Sequence, residues 1–197
     1  MDTTQLFNLP QYHLSKKRFK MLGAEVNIYA GDSNQGQHLF NAKMKAFKLW
    51  EDIKVTDNIQ QNEIFSIKQR KEYKLGHDLY DVVDSQTQQV IGSFQRLTFD
   101  SIVQDKWNIL DPNGNTIAIL QEDSVGLALL RRFLTNLVPQ NYDVLVNGQR
   151  ILDLKQNFSF FGISYELSGD FSSNTSLDPR LGIAAMILLA TIEGRQQ

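Results

Sequence analysis

The sequence predicts a mainly-β protein: a closed antiparallel barrel of about twelve strands around a central hydrophobic C-terminal helix. Three observations support this fold class. Alternation of apolar and polar residues with period two recurs along the chain, similar strand–turn–strand units follow one another, and residues 181–192 form an apolar run without a polar face. A helix that is apolar all round must be buried all round, so we expect the strands to surround it.

The strand–turn–strand units are the main evidence for antiparallel pairing. Residues 80–84 are Tyr-Asp-Val-Val-Asp, residues 107–111 are Trp-Asn-Ile-Leu-Asp, and residues 142–146 are Tyr-Asp-Val-Leu-Val; residues 26–29 look like a further copy. Each is followed by a turn rich in Asp, Asn or Gly and then by an apolar return strand. Asn-Gly and Pro-Asn-Gly between such runs are strong hairpin signals.

The C-terminal helix has recognisable ends. Asp178 is suited to cap it, Pro179 suits its first turn, and Gly194 suits its C-terminal stop. A helix is ~10–12 Å wide and rises ~1.5 Å per residue, whereas a strand rises ~3.3 Å per residue. A helix of about fifteen residues therefore matches the length of a seven-residue strand and would fill a barrel of about twelve strands.

A second helix is predicted between the strands. Ser124 is suited to cap it and Pro139 to stop it, while Arg131 and Arg132 can face outward. Its apolar stripe consists of Leu127, Leu130, Leu134 and Leu137. We interpret it as a lid on one end of the barrel.

Composition favours one soluble domain that spans residues 1–197. The chain has no cysteine, which excludes disulfides, thiolate zinc sites and a cysteine nucleophile. The apolar run of about twelve residues is shorter than the roughly 20 that a membrane span needs. The N-terminus lacks the features of a secretory signal, so we expect a cytoplasmic protein.

Charge is unevenly distributed along the chain. The net charge is −2, which gives no reason to expect nucleic-acid binding. Up to Leu75 there are 12 basic and 8 acidic residues, and from Gly76 there are 8 basic and 14 acidic. The N-terminal part is therefore the expected surface for an anionic partner.

Basic residues cluster in three of the predicted strands. Residues on one face of a strand alternate, so Arg18 shares a face with Lys20, and Lys43 with Lys45. The candidate ligand-binding residues are Arg18, Lys20, Lys43, Lys45 and Lys48. The other members of these stretches are Lys16, Lys17, Lys68, Arg70, Lys71 and Lys74. Two interpretations stay open: a solvated outer face of the barrel, or a docking patch for anionic head groups or a protein.

The combination of motifs resembles one known superfamily. The hairpins that begin at Tyr80 and Trp107, the segment 121–124 (Gln-Glu-Asp-Ser), and the segments 177–181 (Leu-Asp-Pro-Arg-Leu) and 192–195 (Ile-Glu-Gly-Arg) carry the resemblance. Together they look like a bacterial member of the LURP-one-related and phospholipid scramblase-like branch of the tubby C-terminal-like superfamily. The resemblance covers nearly the whole chain.

The resemblance implies candidate functions rather than one function. Tubby domains bind phosphoinositide head groups, scramblases are linked to calcium-dependent phospholipid movement, and plant LURP-one-related proteins are linked to defence. The family has no agreed catalytic signature, and the phosphate-contacting residues of tubby do not align with a motif here. No site residue is therefore transferred.

Enzymatic and metal chemistry are not expected. Ser33, in Gly31-Asp32-Ser33, imitates a lipase nucleophile block, but no histidine follows His77 to complete a triad. Asp111, Asn113, Asn115 and Glu122 fit four positions of a calcium loop, but Thr116 stands where that loop needs glycine. The three histidines lack metal-ligand spacing.

Three functions follow in order of preference. The first is a non-enzymatic binding module for anionic phospholipid head groups, without a cofactor or metal, at the periphery of a membrane. The second is a soluble protein-interaction domain without a small-molecule ligand. The third is a scramblase-like membrane protein, which would require the C-terminal helix to leave the barrel.

Overall fold

The computed structural model describes residues 3–7, 9–19, 23–44, 52–70, 78–97, 106–123, 141–158, 164–170 and 177–192. This part of the chain contains a short 3-10 helix, Thr3–Phe7, twelve strands and one α-helix. The strands are β1 Gln11–Phe19, β2 Gly23–Ala30, β3 His38–Met44, β4 Asp52–Asp57, β5 Glu63–Gln69, β6 Leu79–Asp84, β7 Val90–Arg96, β8 Lys106–Leu110, β9 Thr116–Glu122, β10 Asn141–Val146, β11 Gln149–Phe158 and β12 Ser164–Asp170. The helix α1 spans Pro179–Ile192.

The sheet is antiparallel throughout, and its strand order is cyclic: β1-β12-β11-β10-β9-β8-β7-β6-β5-β4-β3-β2. Each strand pairs with its neighbours in the sequence, and β1 pairs with both β2 and β12. Tyr12 lies opposite Ala30 on one side and opposite Gly169 on the other. The predicted mainly-β class with a C-terminal helix is confirmed.

Five hairpins share one irregularity, a register shift just before the turn. The shift follows Ile28 in β2, Val55 in β4, Val82 in β6 and Ile109 in β8, so it recurs every 27 residues, and it appears again after Val144 in β10. A bulge at this place re-aims the strand and increases its twist. The similar strand–turn–strand units of the sequence are therefore similar in three dimensions as well.

The turns of these five hairpins lie at one end of the sheet, which we call the hairpin end; the opposite end is the distal end. The carboxylates of Asp57, Asp84 and Asp111 each accept hydrogen bonds from backbone N–H groups of the turn that follows. Asn147 and Gly148 both have positive φ, 50° and 79°, as a type I′ turn requires. These hairpin predictions are confirmed.

Helix α1 begins where the sequence predicts. Asp178 Oδ1 accepts a hydrogen bond from Arg180 N at 2.9 Å, and Pro179 is the first helical residue. Residues 181–191 are all buried. The predicted all-round burial of the helix is confirmed over this range.

One strand approaches the helix closely at a glycine. A Cβ placed on Gly92 would lie 2.9 Å from both Leu181 Cδ1 and Leu110 O. Because real Cβ atoms do not approach backbone oxygen that closely, β7 can pack here only without a side chain.

Both ends of α1 are tied to the sheet. At the hairpin end, Arg180 forms ion pairs with Asp84 at 2.5 Å and with Asp178 at 2.7 Å. At the distal end, the buried Lys16 Nζ donates a hydrogen bond to Ala190 O at 2.5 Å. A carboxylate near the helix N-terminus and a cation near its C-terminus both complement the helix dipole.

The N-terminal segment packs against the hairpin end of the core. The rings of Phe7 and Phe40 stack with centroids 4.9 Å apart, and Leu6 is buried. The Tyr12 hydroxyl donates to Leu6 O and accepts from Leu9 N. Burial raises the pKa of Tyr12 to about 12, because the phenolate would lose its hydration.

The predicted second helix, which begins after Ser124, lies outside the described residues, as does the predicted C-terminal stop at Gly194.

Candidate anion-binding surface

Two of the five candidate ligand-binding residues lie in described strands that run toward the distal end. Arg18 is in β1, opposite Ala24, and Lys43 is in β3, opposite Glu25. Nothing is described of the Arg18 side chain. Lys20, Lys45 and Lys48 lie outside the described residues.

The backbone register brings β1 and β3 together across a single strand. Ala24 of β2 lies opposite Arg18 on one side and opposite Met44 on the other. Neighbouring strands are ~4.8 Å apart, so β1 and β3 end about 10 Å from each other. In sequence, Lys20 is the first residue after β1 and Lys45 the first after β3.

The next row of the ladders contains both signs of charge. It runs Lys17, Glu25, Lys43, Lys54 across β1 to β4. Lys43 is exposed, and Glu25 Oε1 accepts a hydrogen bond from Asn41 Nδ2. Lys43 therefore presents its charge to solvent between an acidic and a basic neighbour.

Lys54 has an acidic partner on the next strand. Its Nζ lies 2.6 Å from Glu63 Oε2. The hydrogen bond to Glu63 raises the pKa of Lys54, and the same bond lowers the pKa of Glu63. Because the Lys54 side chain is 61% exposed, solvent screens this pair, and the lysine stays accessible to other anions.

In the third predicted basic stretch, Lys68 and Arg70 have acidic neighbours, whereas Lys71 and Lys74 lie outside the described residues. Lys68 of β5 lies opposite Asp52 on one side and opposite Asp81 on the other. Arg70 binds Asp81 with two hydrogen bonds, 2.9 Å from Nε and 2.6 Å from Nη2. Bidentate pairs of this kind hold the guanidinium in place, so Lys68 and Arg70 are weaker candidates for anion binding than the basic residues of β1 and β3.

Lys16 corrects one sequence expectation. Its place in a basic stretch predicts a solvated side chain, but Lys16 is only 2% exposed and donates a hydrogen bond to Ala190 O near the end of α1. Tyr12 and Leu14, which alternate with it in β1, are buried as well. The physical reason is parity: residue 16 shares the face that packs on the helix.

The hairpin end is acidic. Within the described ranges, this end comprises the three nearest residues of each strand, the five turns and the start of α1. The acidic residues there outnumber the basic ones by seven to two: Asp32, Asp57, Glu63, Asp84, Asp111, Asp170 and Asp178 against Arg150 and Arg180. Both arginines are within 4 Å of aspartates.

The distal end is basic over part of its circumference. In the three residues nearest this end of β1 to β8 and the described residues that flank them, eight basic residues face four acidic ones: Lys17, Arg18, Lys43, Lys54, Lys68, Arg70, Arg96 and Lys106 against Glu25, Asp52, Asp78 and Asp81. In β9 to β12 the corresponding described residues contribute four acidic residues and no basic one: Glu122, Asp123, Asp143 and Glu166. The excess of positive charge at the distal end therefore lies on the side of β1 to β8.

The aspartates of the hairpin end are already engaged by the fold. Hydrogen bonds from the Thr87 backbone, and further ones from Arg180 and Gln86, lower the pKa of Asp84. Hydrogen bonds from Asn115 lower the pKa of Asp111. Both carboxylates stay ionised at neutral pH and serve the turns.

The residues of the calcium-loop interpretation have other environments in the structure. Both Asp111 oxygens bond within residues 111–115, while Glu122 is buried in β9. The two residues therefore do not converge on one ion, and the calcium-loop interpretation is wrong. In the described part of the chain, no group of three His, Cys, Asp or Glu side chains could hold a metal.

Two histidines lie in the first strands, the buried His13 of β1 and the partly exposed His38 of β3. The rings of His13 and His38 flank that of Tyr29, with centroids 6.4 Å and 5.0 Å away. Nearby, Asn41 Nδ2 donates to Asn27 Oδ1 at 2.9 Å. His13 and Asn27 are buried polar residues, at 3% and 4% exposure, so this group is polar, unlike the apolar outer positions of β8 to β11.

The comparisons with known proteins add no relative: no protein-family model matches the chain, and no curated protein matches it. Within the described ranges, no helix has the length and apolar character needed to cross a membrane.

Proposed function

We propose that this chain is a non-enzymatic binding module that holds anionic ligands, phospholipid head groups in particular, at the distal end of β1 to β4. The separation of charge between the two ends of the sheet carries the proposal. An anionic surface attracts the β1 to β8 side of the distal end and repels the hairpin end, so the field orients the protein before contact.

The residues that make the contact are Arg18, Lys20, Lys43, Lys45 and Lys48. The adjacency of β1 and β3 supports this set, and the exposed Lys43 and Lys54 extend it toward β4. Each cation near an anionic surface contributes about 1 kcal/mol, and the attraction decays within a Debye length of ~10 Å at 0.1 M salt. Three or four such residues give weak, salt-sensitive binding.

The twelve strands form a closed barrel in this proposal, with α1 as its filling. The cyclic strand order and the burial of residues 181–191 support closure. Because α1 occupies the interior in this proposal, the ligand binds outside. Membership of the LURP-one-related and scramblase-like family, and action in the cytoplasm at the membrane periphery, belong to the same proposal.

The test is co-sedimentation of the purified protein with vesicles of neutral lipid and with vesicles that contain anionic lipid, at low and high salt. We expect binding only to anionic vesicles and its loss at high salt. The charge-reversal pairs Arg18→Glu/Lys20→Glu and Lys43→Glu/Lys45→Glu should each weaken binding severalfold.

The matched control reverses the balanced pair of residues, Lys68→Glu/Arg70→Glu. It removes the same formal charge from a place where Asp52 and Asp81 already neutralise it. Equal loss in all three pairs would mean that net charge alone determines binding. Absence of any preference for anionic vesicles at low salt would refute the proposal.

The second candidate function, a protein-interaction domain, is favoured by one specific observation. The outer surface of β8 to β11 carries partly exposed apolar side chains, among them Ile117, which is 37% exposed. Loss of vesicle binding with retention of a protein partner would place this function first.

A further inference from the structure

The outer surface of β8 to β11 is amphipathic. In these strands the core side chains alternate with outer ones, and Trp107, Ala118, Leu120, Tyr142 and Leu152 are all buried. Several outer positions near the hairpin end are apolar and at least partly exposed. This apolar face consists of Leu110, Ile117, Ile119 and Leu145, with Thr116 and Arg150 at its borders, whereas the partly buried Ile151 packs against the core.

The apolar face is continuous across the ladders. Leu145 lies directly opposite Ile119, and Ile119 lies opposite Asn108, two residues before Leu110. Arg150, at the border of the face, lies opposite Leu145. Contiguous exposed apolar surface of this kind marks interaction sites, whereas single exposed residues do not.

An acidic row borders the apolar face on its distal side. Asp143 lies opposite Gln121 on β9 and opposite Asp153 on β11, and Asp153 lies opposite Asp170 on β12. Like charges directly opposite each other destabilise a sheet. The chain therefore carries a local repulsion here that a cation from a partner would relieve.

The cations of this chain neutralise the row only in part. Arg150 Nη1 lies 3.5 Å from Asp143 and 3.8 Å from Asp153, and Lys155 Nζ lies 2.9 Å from Asp153. Both side chains are more than half exposed. Burial raises the pKa of Asp143; Arg150 opposes this effect, and Asp153 and Asp123 add to it.

The ladders exclude one mode of binding. Each of β8 to β11 already pairs on both sides, so a partner cannot add a strand at an edge. It must pack on the face. Four strands span about 14 Å from the first to the fourth, the length of roughly ten helical residues.

We propose that the outer face of β8 to β11 docks an amphipathic α-helix of a partner protein, with its apolar stripe on Ile119 and Leu145 and its basic flank on Asp143 and Asp153. The apolar stripe supplies the contact area, and the aspartates set the orientation and select against acidic helices. This surface is distinct from the proposed anion-binding end, where the charge has the opposite sign.

The experiment uses the full chain and two synthetic helical peptides with the same leucine stripe, one flanked by lysines and one by glutamates. Binding is measured by fluorescence anisotropy, and the site is located from amide chemical-shift changes in isotope-labelled protein. We expect the lysine peptide to bind with shifts centred on β8 to β11. We expect the glutamate peptide to bind at least about tenfold more weakly, a difference of ~1.4 kcal/mol.

Two double variants separate the two halves of the surface. Ile119→Ser/Leu145→Ser removes the apolar contact, and Asp143→Asn/Asp153→Asn removes the charge while keeping the shape. Each should lower the affinity for the lysine peptide at least tenfold. The control Lys43→Gln/Lys54→Gln, on the outer surface of β3 and β4, should leave this affinity unchanged. Thermal unfolding verifies that each variant is folded, and the charge pair, which relieves a repulsion, serves as the test if the serine pair fails to fold.

Several results would overturn the proposal. Shifts centred on the acidic hairpin turns would mean that charge alone attracts the peptide. Equal binding of both peptides would remove the role of the aspartates. A concentration-dependent dimer, detected by light scattering and abolished by Ile119→Ser/Leu145→Ser, would assign the face to a second copy of this chain.

Discussion

The two ends of the sheet use charge for different purposes. At the hairpin end, the carboxylates of Asp57, Asp84 and Asp111 accept hydrogen bonds from the turns that follow them. At the distal end, Lys43 and Lys54 are exposed on neighbouring strands, and Lys54 is held only by a screened surface pair. Charge at the first end stabilises the fold, whereas charge at the second is available to a ligand.

Helix α1 runs from the hairpin end to the distal end, and its dipole is aligned favourably with the charges at both ends. Its positive N-terminus lies at the acidic hairpin end beside Asp178 and Asp84, and its negative C-terminus accepts a hydrogen bond from Lys16. Turning the helix round would place each pole against charge of its own sign. The charge separation therefore helps to specify the direction in which the helix enters the sheet.

The largest expected effect comes from removing α1. Leu181, Ile183 and Met186 are among the fully buried residues, and a buried side chain of this size contributes roughly 1.5–3 kcal/mol. The helix carries at least six of them, so truncation after Leu177 should abolish soluble folding. Ile187→Asp should nearly do so. A truncated chain that keeps its β signal in circular dichroism and a cooperative thermal transition would contradict this.

A smaller effect is expected from the distal attachment of the helix. Lys16→Ala removes a buried stem and leaves Ala190 O without this donor, which should lower the free energy of unfolding by about 2–4 kcal/mol. Lys43→Ala, at an exposed position in β3, is the matched control and should change it by less than about 0.5 kcal/mol. Urea unfolding measures both. Equal small losses would mean that Lys16 contributes as a surface residue does.

The sequence contains most of the signals for the local structure. The Asp-ending strands, Asn147-Gly148 and the Asp178-Pro179 start were each sufficient to predict a hairpin or a helix start, because turn and cap chemistry is local. Period-two alternation also held a signal for Lys16, since Tyr12 and Leu14 share its parity. The run of consecutive basic residues around Lys16 predicts the opposite, a solvated side chain, and in this case the alternation is the better guide.

The separation of charge between the two ends of the sheet could not be predicted from the sequence. The excess of basic residues before Leu75 is visible in the sequence, but an end-to-end separation depends on which end each strand starts from. The pairing of β1 with β12 joins residues more than 150 positions apart, such as Gln11 and Asp170. The acidic row of Asp143, Asp153 and Asp170 likewise exists only once the register is known.

Acid should remove the contribution of Asp84 to the free energy of unfolding. The pKa of Asp84 is lowered in the folded state, so its contribution to stability is present above the unfolded value of ~3.9 and is lost as the pH falls through the folded value. At neutral pH, Asp84→Asn should cost about 1–2 kcal/mol, because the Arg180 pair and the charge-assisted turn bonds are weakened. The difference from the wild type should shrink toward pH 2.

The control for this titration is Asp32→Asn, an exposed turn aspartate at the same end. It removes the same formal charge from an exposed position, so at neutral pH its stability should differ little from that of the wild type. A difference for Asp84→Asn that grows as the pH falls would reverse the assigned sign and would mean that the folded state favours the neutral carboxyl.

The smallest effect on stability should accompany a clear effect on binding. Lys43→Gln/Lys54→Gln removes two exposed charges of the distal end, and surface pairs such as Lys54–Glu63 contribute little to folding, so the thermal midpoint should not move measurably. Binding to anionic vesicles at low salt should nevertheless fall severalfold, because two cations leave the contact region. Asp84→Asn should show the opposite pattern, with a lower midpoint and unchanged vesicle binding. If both variants changed stability and binding in parallel, the division of charge between the two ends would not hold, since a loss of folded protein would then explain both results.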